Sequence, residues 1–179
     1  MILALFAHPD GVEATPGHRV VYDVPRNEAR FGAASADARA LVWELSEHGG
    51  VGAALAAEVD LDPAVGWLMR CDRVDLPPGG VAYRHTHPGP GIRRLLHGSI
   101  RIEAGGTVRT YGSGEAWFEP GPEPVLAVAS ATEPTAFVRV MLLPAEWAGK
   151  RTIRYLDPAD EDKPKTQRAT VFLEAPIAL

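Results

Sequence analysis

The sequence is poor in cysteine, in positive charge and in long apolar runs, and each shortage excludes something. A single cysteine, Cys71, has no partner for a disulfide within the chain. That fits a reducing compartment and predicts a cytoplasmic protein. Acidic residues outnumber basic ones, for a net charge of -5, so the basic footprint that nucleic-acid binding needs is missing. No run approaches the roughly 20 apolar residues of a membrane span. The opening MILALFAHPDG has no basic leader, and its apolar run stops at His8. It reads as a first strand and not as a signal peptide. There is also no phosphate loop, dinucleotide fingerprint, serine-nucleophile elbow or Cys-x-x-Cys pair.

What is present suits one globular domain. The chain has 179 residues, 46% of them hydrophobic, which is enough for a sizeable core. Eighteen glycines and 16 prolines punctuate short elements, a pattern that favours β architecture. RVVYDVP (residues 19–25) reads as an edge strand. SADARALVWELSEH (35–48) places Ala38, Leu41, Val42 and Leu45 at helical spacing, with Ser35 or Asp37 as a cap and Gly49 as a stop. This predicts a helix, with a strand over ALVWEL as the alternative. From Val65 onward the pattern is a succession of short strands with regular turns, as in a β-sandwich or barrel. DPADEDKPKTQR (157–168) is a charged loop, and ATVFLEAPIAL after it reads as a final strand.

The stretch from Pro77 to Ile100 carries the chemistry. In VAYRHTHPGPGIRR, strand alternation puts His85 and His87 on one face, together with Tyr83 and Val81. Two imidazoles about 7 Å apart along a strand can aim at one ion. A catalytic metal site usually has three protein ligands and an open position, so His-x-His supplies two of them. Continued alternation from Gly91 turns Arg93 inward and Arg94 outward. An inward arginine favours a carboxylate or phosphate, whereas two surface arginines are the plainer reading. Trp117 or Phe118 can line the interior, and Cys71 reads as a small buried hydrophobe.

Gly79, His85, His87 and Gly98 resemble the first motif of the cupin superfamily: Gly, five residues, His-x-His, three or four residues, Glu, six residues, Gly. Gly114-Glu115 and Pro120 resemble the opening of its second motif. The resemblance covers residues 66–144. It implies a mainly β fold, a double-stranded β-helix or jelly-roll barrel, with residues 1–65 as an N-terminal extension packed on it. Residues 145–179 would form a C-terminal loop and strand. Family barrels often pair, so a homodimer is implied, with the arm or last strand swapped. Two of the four ligands a cupin offers are retained. Gly91 stands at the glutamate position and Val125 at the second-motif histidine. Tyr83, His97, Glu115, Glu119 and Glu123 are candidate helpers, with Glu123 closest to the lost histidine as a shifted ligand.

Two functions follow. In the first, the barrel binds a small organic molecule, anionic or neutral, through Tyr83, His85, His87, Arg93 and Trp117, with a weak or altered metal site at His85 and His87. In the second, one divalent ion (Fe, Ni, Mn or Zn) serves a dioxygenase, isomerase, lyase or decarboxylase acting on a small organic acid. Fold alone does not choose between them. The missing glutamate and histidine favour the first.

Overall fold

The computed structural model describes all 179 residues. The first seven strands are β1 (Ile2–His8), β2 (Val12–Ala14), β3 (Arg19–Asp23), β4 (Glu28–Phe31), β5 (Ala34–Ala36), β6 (Ala40–Ser46) and β7 (Leu55–Glu58). Five of them form an antiparallel sheet in the order β4-β3-β6-β1-β7, and β2 pairs with β5. The helix expected over 35–48 does not form; its residues make β5 and β6. The reason is burial on both faces. Leu41, Trp43 and Leu45 enter one apolar cluster, while Ala40 and Val42 enter another. A strand covered on both sides reads as a continuous apolar run, which helical spacing also fits. β3 is likewise not an edge, because it pairs with both β4 and β6; Pro25 falls in the turn beyond it.

The remaining strands are β8 (Trp67–Leu76), β9 (Val81–Thr86), β10 (Gly91–His97), β11 (Ser99–Ala104), β12 (Thr107–Gly112), β13 (Ala116–Glu119), β14 (Val125–Ala129), β15 (Thr135–Pro144), β16 (Arg154–Tyr155) and β17 (Arg168–Ile177). They make two facing five-stranded sheets, β13-β10-β15-β8-β17 and β12-β11-β14-β9-β16. The only helical pieces are two short 3-10 turns, Ala145–Trp147 and Pro158–Glu161. No helix is long and apolar enough to cross a membrane. The last strand, β17, pairs with β8 of its own chain.

The molecule therefore has three β layers and two cores. The β13-β10-β15-β8-β17 sheet is the middle layer. Its outer face packs on the N-terminal sheet through Ile92, Val138, Val140 and Leu142 against Leu3, Leu5, Tyr22 and Trp43. Its inner face closes the barrel, where Val74, Leu95 and Phe137 meet Ile100, Ile102 and Val125. Every residue of β15 from Thr135 to Leu143 is buried, as expected of a strand with two dry faces. One polar bond ties the layers: the Trp43 indole N–H donates to the Ile92 carbonyl at 3.1 Å, next to Arg93.

Candidate functional site in the barrel

The site begins with a bulge in β9. Val125 lies opposite His85 and Ala127 opposite Ala82, so β9 carries one extra residue between these pairs. The bulge resets the alternation. Ala82, His85 and His87 face inward and are buried, and His85 and His87 line the barrel cavity. Tyr83 does not line it: its ring lies under the Lys163 ammonium, 4.7 Å from the ring centre. The expected shared face of Tyr83 with the two histidines fails because of that inserted residue.

Both imidazoles are oriented by backbone. His85 Nδ1 donates to its neighbour's carbonyl, Tyr83 O, at 2.6 Å, and His87 Nδ1 donates to Thr152 O at 3.3 Å. A carbonyl facing each Nδ1 favours a proton there, while a hydrogen bond between the two Nε2 atoms needs a proton on one of them. The two Nε2 atoms stand 3.1 Å apart, and Arg139 Nη1 donates to His87 Nε2 at 3.2 Å. Burial holds His85 below its ordinary pKa. Burial, then the Arg139 and Arg93 cations, push His87 well below it. The pair is neutral at physiological pH.

Beneath the histidines a polar row crosses the middle sheet. Trp117, Arg93, Arg139 and Asp72 are successive partners on β13, β10, β15 and β8. Two arginines directly opposite each other would repel. Each is matched by a carboxylate. Arg139 Nε reaches Asp72 Oδ1 at 2.7 Å and its Nη2 reaches Oδ2 at 3.3 Å, a bidentate pair. Arg93 Nη2 stands 2.6 Å from Glu119 Oε2. Burial lowers the Arg93 guanidinium to about 10, against the opposing pull of Glu119, so it stays charged. Two positive and two negative groups cancel, and the deep end of the barrel is close to neutral.

The vacated glutamate position has been rebuilt. A side chain at Gly91 would meet Val140 O at 2.6 Å and Arg93 Nη1 at 3.0 Å. Arg93 Nη1 donates to Gly91 O at 2.6 Å, so the arginine fills that space. The carboxylate returns from across the ladder: Glu119 is the direct partner of Gly91 and receives the Trp117 indole N–H on Oε1 at 2.8 Å. Val125, at the lost histidine, is part of the apolar wall. Glu123 is exposed and does not line this cavity; it borders a separate surface depression. His97 is exposed, and Glu115 caps a turn by accepting from Gly112 N. Arg139 and Asp72 escaped sequence reasoning. For Arg139 the signal was a lone charge within the otherwise apolar strand TAFVRVMLL; Asp72, between Arg70 and Arg73 in WLMRCDRV, carried no such signal.

The cavity above this row holds about 60 Å³. Apolar residues, among them Val74, Leu76, Ile102, Trp117 and Phe137, make most of its wall. Three side-chain polar atoms in the whole molecule are buried without a hydrogen-bond partner: Arg93 Nη2, Glu119 Oε2 and Gln167 Oε1. All three residues line this cavity. The Arg93–Glu119 contact is close, but its angles fall outside hydrogen-bond geometry. Unmet buried polar atoms are rare and costly, about 1–3 kcal/mol each.

The resemblance to cupins implied a metal, and the donors do not fit one as they stand. The His87 lone pair that an ion would take is occupied by Arg139. Glu119 Oε2 is 3.9 Å from His87 Nε2 and faces Arg93. No group of three or more histidine, cysteine or acidic side chains is arranged to hold an ion. Both carboxylates near the histidines, Glu119 and Asp72, are already engaged by guanidiniums and are not free to hold an ion.

The two facing antiparallel sheets match an all-β cupin barrel fold. Solved structures similar to this chain include an RmlC-like cupin from Shewanella frigidimarina, at 14% identity over 49% of this chain and 84% of that one, TM-score 0.40. The polyketide cyclase RemF from Streptomyces resistomycificus is 23% identical over 49% and 61%, TM-score 0.41. A cupin-like protein from Thermotoga maritima is 16% identical over 54% and 73%, TM-score 0.42. These likenesses concern the fold alone. No family model and no curated protein matches the chain.

Proposed function

We propose that the barrel binds a small organic molecule with an apolar body and one polar head, without a resident metal. The observation that carries this reading is the gathering of every unpartnered buried side-chain polar atom in one apolar-walled cavity. A head group that accepts from Arg93 Nη2 and donates to Glu119 Oε2 or Gln167 Oε1 would satisfy two of the three. A hydroxyl beside a carboxylate or carbonyl oxygen has that pattern. The small volume favours a compact ligand.

The test is a binding screen by NMR with short 2-hydroxy acids and their deoxy counterparts as probes. The hydroxy acids should perturb the Gln167 side-chain amide and the Trp117 indole, and Glu119→Gln or Gln167→Leu should weaken this at least tenfold. Equal perturbation by the deoxy acids, or none by either, would sink the proposal. A second reading, a mononuclear metal enzyme of dioxygenase, isomerase, lyase or decarboxylase type, draws on the convergence of two Nε2 atoms held by carbonyls behind them. Stoichiometric iron, nickel, manganese or zinc in protein purified without an affinity tag, lost in His85→Ala, would replace the first reading with this one.

A further inference from the structure

The neighbour of Arg93 points to a second site. Arg94 lies on the opposite face of β10 and, with Arg39, lines a crevice of about 210 Å³ between the N-terminal sheet and the barrel. His8, at the end of β1, stands at the same crevice. No acidic residue lines it. Nearly all other arginines have a carboxylate or an aromatic ring for company. Arg39 and Arg94 have neither, and Arg168 is the one other arginine so placed. Arg168 is exposed on β17 and faces no second cation, whereas Arg39, also exposed, stands at the mouth of the crevice opposite Arg94. Arg94 is half-buried, and the nearby Arg39 cation together with burial depresses its pKa.

Two unpaired guanidiniums facing one partly buried space store repulsion that a shared anion removes. The local frame is ready for one. Arg94 Nη2 lies beside Gly114, where a Cβ would come within 3.7 Å, and the turn there is pinned by Gly114 N donating to Leu95 O and Ser113 Oγ donating to Leu96 O. Val24, Leu41, Leu95 and Leu96 supply an apolar wall. We propose that this crevice is a binding site for a small organic oxyanion, a carboxylate or phosphate bridging Arg39 and Arg94 with a short apolar body against that wall. The site is separate from the barrel cavity: the two share no lining residue, though β10 contributes to both. Its strands come from both sheets, so an occupied crevice would also brace the extension against the barrel.

The test uses inorganic phosphate and butyrate as probes, each titrated at constant ionic strength against sodium chloride, with amide shifts as the readout. The Ser113 and Gly114 amides should shift saturably, with the melting temperature rising in step. The double variant Arg39→Gln/Arg94→Gln should lose affinity at least tenfold, whereas Arg168→Gln should leave it unchanged. Saturation by one probe alone assigns the head group. No saturable shift with either probe by 50 mM (about where a 1.8 kcal/mol interaction would half-fill the site), or equal binding in the double variant, overturns the proposal.

Discussion

Arg93 and Arg94 are adjacent in sequence and live in opposite electrostatic worlds. Arg93 enters the barrel, is almost wholly buried, and is matched by Glu119. Arg94 leaves by the other face of the same strand and meets only another arginine across a crevice. In the barrel, positive and negative charges balance without outside help; what is missing is hydrogen-bond alignment. In the crevice the charge itself is unbalanced. The contrast teaches that a buried cation must carry its counter-ion within the fold, while a half-buried one can leave that place to solvent or a ligand.

The sharpest way to break this comparison is to unbalance the barrel. Asp72→Ala strands Arg139 in the core and should cost about 3–5 kcal/mol of stability by chemical denaturation, as for other broken buried pairs. Asp72→Leu combined with Arg139→Met, which removes both charges, should recover most of that. Arg93→Gln leaves Glu119 facing no cation and should cost about 3 kcal/mol; a loss below 1 kcal/mol would mean that the pair is effectively solvated.

The histidines give a pH signature. Both are held below the ordinary value of 6.5. As pH falls through that value the unfolded chain takes up protons first, so stability is full above it and is lost below it. The slope is up to about 1.4 kcal/mol per pH unit for each histidine. His87→Gln should flatten the slope between pH 6.5 and 5 relative to the parent; an unchanged slope would contradict the neutral, buried pair. The smallest effect belongs to the crevice. Arg94→Gln should change stability by no more than about 0.5 kcal/mol in low salt, toward greater stability, and the gain should vanish at 1 M salt, where screening shortens to about 3 Å. A large loss there would place Arg94 on the same footing as Arg93.

Much of the barrel was legible because its signals are local. Glycines and prolines mark the turns, period-two alternation marks the strands, and the His-x-His spacing marks one strand of a cupin barrel. Arg93 was legible for the same reason: two residues from Gly91, it keeps that glycine's parity. Tyr83 was misread because a bulge changes parity, and nothing in VAYRHT announces the extra residue. The stretch 35–48 was misread because ALVWEL is apolar at every position, and only a sheet on each side decides between a helix and a strand. Glu119 could be named as a helper but not as the partner of Gly91, since that pairing joins strands 28 positions apart.

The sequence by itself determined the class of fold, many of the turns and the spacing of the two histidines, because these rest on residue type and short spacing. The tertiary structure decided which charges meet. Asp72 with Arg139, Arg93 with Glu119, and Arg39 with Arg94 are each brought together by strand pairing or layer packing across long separations. Electrostatic free energy depends on distance and on burial, and neither is written along the chain.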